Sequence, residues 1–252
     1  MAAGKEFREG SDGWASSMLL YQSAVKEIAT KIDILSEEFK HIHKYNPIEY
    51  VKTRIKSADS IVKKLIRYGY EPTTANMVMY CNDVAGVRIV CSFTSDIYRL
   101  AHMIGKQSDI TVVSVKDYIK NPKESGYKSY HMIVEVPIYL SQGPVQTKVE
   151  IQIRTIAMDF WASLEHKIFY KFEGSAPDYI SQDLRECSEI VSMLDAKMLE
   201  LNDTISKAVE EQERKKSEER DKRIAERLHN ETVKKSMEKN GDNVKKEEKE
   251  AE

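Results

Sequence analysis

The residues with the clearest chemical reach lie in Val145–Thr155, VQTKVEIQIRT. Val145, Thr147, Val149, Ile151 and Ile153 alternate there with Gln146, Lys148, Glu150, Gln152 and Arg154. A period of two predicts a strand with one buried face. Residues two apart then point the same way, about 6.5–7 Å from each other. Glu150, Gln152 and Arg154 therefore form one polar row on a rigid element. The carboxylate can ligate a metal or take a proton, the amide can hydrogen-bond, and the guanidinium can clamp an anion. An ordinary half-buried strand alternates in the same way, so the row acquires meaning only from its surroundings.

Two other stretches carry chemistry. Asp83 and Arg88 flank the start of an apolar run, DVAGVRIVCSF (83–93). A charge inside a strand needs a partner or an open face. The pair reads either as an internal salt bridge or as a metal ligand beside a phosphate contact. The segment KNPKESGYKSYH (120–131) places three lysines, a glycine, aromatic rings and a histidine together. Its Pro, Ser and Gly mark a loop. Such a loop can offer ammonium groups to phosphates and a flat ring to a base.

The elements that must position these groups follow from the pattern. Residues 1–15 read as a loose leader. Met18, Tyr21, Val25, Ile28, Ile32, Leu35, Phe39 and Ile42 are spaced three and four apart, a heptad seam on a long helix. That seam can pack on its own domain or build a subunit interface. Asn46-Pro47-Ile48-Glu49 reads as a helix start, predicting a helix with Val51, Ile55, Ala58, Val62 and Leu65 on one face, ending near Gly69. On it Tyr50 and Arg54 share a face and Lys56 points elsewhere. Thr73 or Thr74 caps a short helix through Asn82. A strand follows Asp83, a helix spans about 95–106, and residues 110–115 are a strand. Strands 129–139 and 145–155, joined through Gln142-Gly143-Pro144, are predicted to pair antiparallel. That pairing puts Ser129, His131 and the Glu150 row on one sheet face. Residues 156–172 form an apolar-rich helix carrying Asp159 and His166, a break falls at 174–177, and Leu184, Cys187, Ile190, Val191, Leu194 and Met198 mark a last amphipathic helix. Beyond about Lys207 the chain is nearly all Glu, Lys and Arg and cannot bury a core. The expected divisions are the leader 1–15, a domain at 16–200 and a charged helical or disordered tail at 201–252.

Composition excludes several classes. The 252 residues carry 39 basic and 41 acidic side chains. A net charge of −2 gives no nucleic-acid or membrane signature. No apolar run spans a membrane and no signal peptide opens the chain, so the expected compartment is the cytoplasm. Cys81, Cys91 and Cys187 lack CxxC pairing and argue against a zinc site. No HExxH, GxxxxGK[ST] or GxGxxG occurs.

Five segments in order, PIEYVKTRIK (47–56), NDVAGVRIVC (82–91), KESGYKSYH (123–131), VEIQIRT (149–155) and AMDFWASLEHKIFYKF (157–172), resemble the stand-alone small alarmone synthetases, relatives of the synthetase domain of RelA/SpoT enzymes. The resemblance covers about residues 18–200. It implies an α+β, nucleotidyltransferase-like fold: a mixed sheet of about five strands flanked by helices, with helical N- and C-terminal extensions. It implies Mg²⁺-dependent transfer of pyrophosphate from ATP to the 3′-hydroxyl of GDP or GTP, giving AMP and (p)ppGpp. Arg54 and Arg88 would flank adenine, with Lys56 on phosphate. Asp83 and Glu150 would hold Mg²⁺, and Glu150 would help activate the hydroxyl. Tyr127 would stack on guanine, with Lys123, Ser125 and His131 lining that site and Gln152 and Arg154 completing the row beneath it. Synthesis without hydrolysis is expected, since no His-Asp dipeptide occurs. A homotetramer through terminal helices is expected. Activation by product is not, because the corresponding first-helix positions hold Asp33 and Ser36. Neither DNA nor a membrane is expected as a partner, and the charge offers no support for single-stranded RNA. The rival reading is a catalytically silent nucleotide- or RNA-binding regulator, which would lack Asp83 or Glu150; both are present.

Overall fold

The computed structural model describes residues 12–43, 45–171 and 177–250. Its elements run α1 (Asp12–His41), β1 (Ile48–Ile55), α2 (Ala58–Arg67), α3 (Thr74–Tyr80), β2 (Ala85–Cys91), α4 (Thr94–Gly105), β3 (Thr111–Asp117), β4 (Tyr130–Leu140), β5 (Gly143–Thr155), α5 (Ile156–Lys171) and α6 (Asp178–Glu250). The five strands form one sheet in the order β1-β2-β5-β4-β3. β2 and β5 are parallel and the other neighbours antiparallel, so the sheet is mixed. Contacts divide the chain into two units, residues 1–199 and 200–252.

One face of the sheet is buried. Val87, Ile89, Val149, Ile151, Ile153, Met132 and Val134 meet Ile97, Leu100 and Ile104 of α4 and the apolar side of α1 in a single core. The α1 seam resolves here: Tyr21, Val25, Ile28, Ile32 and Phe39 pack on the sheet, and each fully buried side chain contributes about 1.5–3 kcal/mol. The seam is therefore not free for a partner, and Ile42 stays exposed. α1 also begins at Asp12, inside the expected leader, because Trp14 joins the core. Residues 1–11 and 172–176, including most of the expected break, lie outside the described residues.

The helix expected from Pro47 is a strand followed by a helix. Ile48, Val51, Thr53 and Ile55 are β-branched, and pairing with β2 outweighs the capping signals. Asn46 Oδ1 accepts from the Ile48 N–H at 3.0 Å, its amide donates to Ser36 Oγ at 3.1 Å, and the true N-cap is Ser57, before α2. α2 then buries Ile61 and Leu65. Thr73 caps α3 as expected.

In the 200–252 unit the chain is α6 through Glu250, with no described residue buried. Exposed pairs such as Lys215–Glu211 at 2.8 Å hold such a helix by about 0.3–0.5 kcal/mol each.

Candidate active site

The uncovered face of the sheet carries the polar rows in register. Arg54 lies opposite Gly86, which pairs with Glu150, and Lys52 lies opposite Arg88, which pairs with Gln152 and then His131. Neighbouring strands are about 4.8 Å apart, so the first row brings together residues of three strands and the second of four. Gly86 leaves the first row open. A Cβ there would sit 3.1 Å from Arg54 Cγ and Nε, so the Arg54 side chain lies across the glycine. Its Nη2 reaches to 3.7 Å from Glu150 Oε2. A cavity of about 210 Å³ is lined by Lys52, Arg54, Gly86, Arg88, Glu150 and Gln152.

Three carboxylates organise this face. Asp83, just ahead of β2, receives Lys56 Nζ on Oδ2 and Lys64 Nζ on Oδ1, both at 2.7 Å. Burial opposes its charge, yet the two lysines outweigh burial and hold the carboxyl below the usual aspartate range. Glu150 accepts from His131 Nδ1 at 3.2 Å and from Gln152 Nε2 at 2.9 Å. Burial again opposes ionisation, and the bonds from His131 and Gln152 prevail. Asp83 pushes the Glu150 carboxyl upward, so the two anions feel each other.

Asp159, in the first turn of α5, is only 2% exposed. Its Oδ1 accepts from Arg88 Nη1 at 3.0 Å and Arg154 Nη1 at 3.2 Å, and its Oδ2 accepts from Tyr50 at 2.9 Å. Lys52 Nζ stands 3.7 Å away. Burial works against the Asp159 charge, and Tyr50 with the three cations outweighs it. Burial and then Arg154 press the Arg88 guanidinium below the ordinary arginine value, and Arg88 Nε has no acceptor among the described residues.

Arg154, which also donates to Asp159, starts a directional chain of hydrogen bonds that ends at Glu150. Arg154 Nη2 donates to the Tyr127 oxygen, and the Tyr127 hydroxyl lies 2.8 Å from His131 Nε2. With Tyr127 donating, His131 carries its proton on Nδ1 and donates it to Glu150. Arg154 Nη2 also donates to Gln152 Oε1 at 3.2 Å, and Nε to Ser129 Oγ at 3.3 Å. Lys123 Nζ lies 4.7 Å from the Tyr127 ring centre and 4.9 Å from that of Tyr118.

The residues singled out in the sequence thus fall into place unevenly. Arg54, Arg88, Tyr127, His131, Glu150, Gln152 and Arg154 form one network. Lys56 joins Asp83 rather than pointing elsewhere, because β1 and not a helix carries it to the edge of β2. Lys123 reaches Tyr127 through its ring, and half-buried Ser125 shares that loop. Arg154 is 4% exposed with its donors taken up by the protein, so it positions the row and is not an open anion clamp. Asp159, read in the sequence as no more than the polar side of a helix, is the centre of the cations, while His166 is exposed. Lys52 and Lys64 were not visible as site residues. Lys52 alternates with Tyr50 and Arg54 and would follow from reading a strand there; Lys64 has no signal of its own, since helix packing brings it to Asp83.

A sequence model described as a region found in RelA / SpoT proteins matches residues 53–175. GTP pyrophosphokinase YwaC of Bacillus subtilis is 49% identical over 188 residues, 75% of this chain and 90% of that protein. The chain belongs to the RelA/SpoT family, among its small alarmone synthetases. The crystal structure of small alarmone synthetase 2 from Bacillus subtilis superposes with a TM-score of 0.70 at 44% identity, covering 77% of this chain and all of that one. Synthetase 1 from Bacillus subtilis, bound to its product pppGpp, gives 0.72 at 36% identity, covering 77% and 99%. The span that matches the family model contains every site residue from Arg54 to Asp159.

Proposed function

We propose that this chain transfers the β,γ-pyrophosphoryl group of ATP to the 3′-hydroxyl of GDP or GTP, releasing AMP and forming (p)ppGpp. The observation that carries this reading is the position of Glu150. It lies where a cationic half-site, Arg54 and Arg88 beside the cavity, meets an aromatic half-site, Tyr127 and His131. In-line phosphoryl transfer needs donor and acceptor positioned with charge neutralised around the transferred group, and a carboxylate between the two half-sites can take the acceptor's proton.

In this reading the guanidinium planes of Arg54 and Arg88 hold adenine, and Lys56 and Lys64 face the phosphates. Tyr127 stacks on guanine, with Lys123, Ser125, Gln152 and His131 around the acceptor. The acceptor's 3′ oxygen attacks the β-phosphorus, the bond from that phosphorus to the α-bridging oxygen breaks, and AMP leaves with the electron pair. Glu150 takes the hydroxyl proton; His131 and Gln152 keep it ionised and aimed. Arg154 and Asp159 fix Tyr127 and Arg88. Asp83 and Glu150 are the carboxylates that would hold Mg²⁺, which favours one or two carboxylates plus phosphates, with Lys56 and Lys64 turning from the Asp83 oxygens to the phosphates. When bound it would supply charge neutralisation on the transferred group.

The same reading makes the chain a synthetase without hydrolase activity, acting in the cytoplasm as a homotetramer. Leu19 and Ile34 on α1 and Ile190, Leu194 and Met198 on α6 are apolar and exposed, which favours self-association. No helix of the described residues is long and apolar enough to cross a membrane.

The test is a nucleotide assay. Purified protein with Mg²⁺, ATP and either GDP or GTP should give equal amounts of AMP and a guanosine tetra- or pentaphosphate on anion exchange. The better acceptor settles substrate preference. Intact ATP with both acceptors, with and without added product, would overturn the assignment.

A further inference from the structure

The loop that carries Tyr127 is not held by the sheet alone. Its internal bonds are two, Lys123 N–H to Tyr127 O at 3.2 Å and Gly126 N–H to Lys123 O at 2.8 Å. Arg154 and His131 hold the Tyr127 hydroxyl from the sheet, and α6 holds the loop backbone at Gly126 and the Lys128 side chain. Ser188, 5% exposed, donates its hydroxyl to Gly126 O at 2.6 Å. Gly126 has φ +88°, and a Cβ on it would lie 2.8 Å from Ser188 Cβ, so loop backbone and helix are in direct contact. One turn on, Lys128 Nζ donates to Ser192 Oγ at 2.6 Å. Thr155, next to Arg154, donates to Asp195 Oδ2 at 2.6 Å. Trp161 Nε1 donates to Leu184 O at 2.9 Å.

Leu184, Ser188, Ser192 and Asp195 are four, four and three apart, one face of a helix. Tyr127 itself packs against a small second core of Trp161, Ala162 and Leu184, separate from the sheet core. Arg54 and Arg88, by contrast, take their positions from β1, β2 and Asp159.

We propose that Ser188 is a positioning residue for the acceptor nucleotide: through Gly126 it sets Tyr127, so that this one contact, unlike those of Asp195 and Leu184 nearer Arg154 and α5, governs acceptor affinity without touching the ATP half-site. This rests on the reading of Tyr127 as the acceptor stack. A loop that must be docked to bind lowers apparent affinity by the fraction undocked. The coupling therefore shows in one KM and not the other.

The experiment uses the full chain and three variants, with ATP and GDP varied in turn. Ser188→Val removes the hydroxyl and forces a methyl toward Gly126. It is expected to raise the KM for GDP about tenfold or more, with the KM for ATP and kcat at saturating GDP within about twofold. Glu189→Val, which places valine at the exposed neighbouring position, is expected to match wild type in all three. Tyr127→Ala is expected to raise the GDP KM as well. If Tyr127→Ala raises it and Ser188→Val does not, this inference fails and the site reading survives. If Tyr127→Ala leaves it unchanged, the site reading fails and takes this inference with it. If Ser188→Val raises both KM values together with a fall in Tm, Ser188 is merely structural and the proposal is overturned. Should Ser188→Val not fold, amide exchange in Ser188→Ala decides. The Gly126 amide, itself bonded to Lys123 O, reports opening of the loop, and its exchange relative to β2 amides is expected to quicken about fivefold for loss of the Ser188 bond to Gly126 O; an unchanged rate overturns the proposal.

Discussion

Replacing Glu150 by Gln separates chemistry from folding more cleanly than any other change at this site. The substitution keeps shape and removes one charge. In the native state Glu150 Oε1 accepts from His131 and Oε2 from Gln152. A glutamine retains one acceptor and turns a donor toward one of these partners, a loss of about 1–2 kcal/mol. Against that loss, a buried carboxylate no longer has to be desolvated, so the net change in stability is about 1 kcal/mol. For a chain of this length that is a Tm shift of about 2–4 °C. Catalysis is hit much harder. A positioned general base contributes about 10²–10⁴-fold, or about 3–5 kcal/mol of barrier, and loss of a metal-ligating charge adds to it. The expected result is kcat lowered at least about 10³-fold, KM for ATP within a few-fold, and Tm nearly unchanged. Stopped assays at saturating ATP and GTP read the first two, and calorimetry reads the third. A variant retaining a tenth of wild-type turnover would refute the role of Glu150 as base, and with it the reason for placing the two nucleotides on either side of it.

Other expectations follow from single contacts. Gly86→Ala puts a Cβ 3.1 Å from Arg54 Cγ and Nε; Arg54 is half-exposed and yields, so KM for ATP should rise several-fold with the GDP KM and Tm unchanged. Arg154→Lys should not rescue Arg154→Ala, since one ammonium cannot serve Asp159, Gln152, Ser129 and Tyr127 together; both variants should lose about 3–5 kcal/mol in urea unfolding, the cost of a broken buried pair. Asp83→Asn should destabilise at neutral pH by leaving Lys56 and Lys64 facing each other. Because the folded Asp83 carboxyl sits below its ordinary value of 3.8, its contribution is present above that pH and lost as pH falls through the lower folded value. The stability gap between wild type and variant should therefore stay constant from pH 7 to about 5 and close only below the ordinary aspartate range.

How much of this was legible in the sequence depended on whether one period could be told from another. Val145–Thr155 alternates cleanly for eleven residues, so the strand, its polar row and its antiparallel partner with His131 were all readable. The stretch after Asn46 was not. Tyr50 and Arg54 are four apart, a spacing that puts two residues on one face of a helix and equally on one face of a strand. Asn46 and Pro47 look like a cap to either. What separates the two readings is Lys52, which shares the face only in a strand, and a β2 partner far along the chain, which no local pattern reveals. The candidate residues divide likewise: Glu150, Gln152 and Arg154 came from strand parity, Asp83, Arg88 and Tyr127 from charge and loop composition, and those brought in by packing, Lys64 from α2 and the role of Asp159 on α5, had no local signal.

Asp159 shows why packing had to decide. A carboxylate on an apolar helix reads as its polar side. Yet α5 starts directly after Thr155, so its first turn folds back over the end of β5, beside Arg154. That turn delivers Asp159 to a place where Arg88, Arg154 and Lys52 would otherwise repel one another across neighbouring strands. Arg154, 4% exposed, and the partly buried Arg88 need a buried counter-ion, because an uncompensated buried charge is costly. The polar row on β5 therefore depends on the helix that follows it. A cationic site of this kind could be inferred from sequence by asking, for every group of arginines and lysines a strand pattern places together, which nearby carboxylate neutralises them.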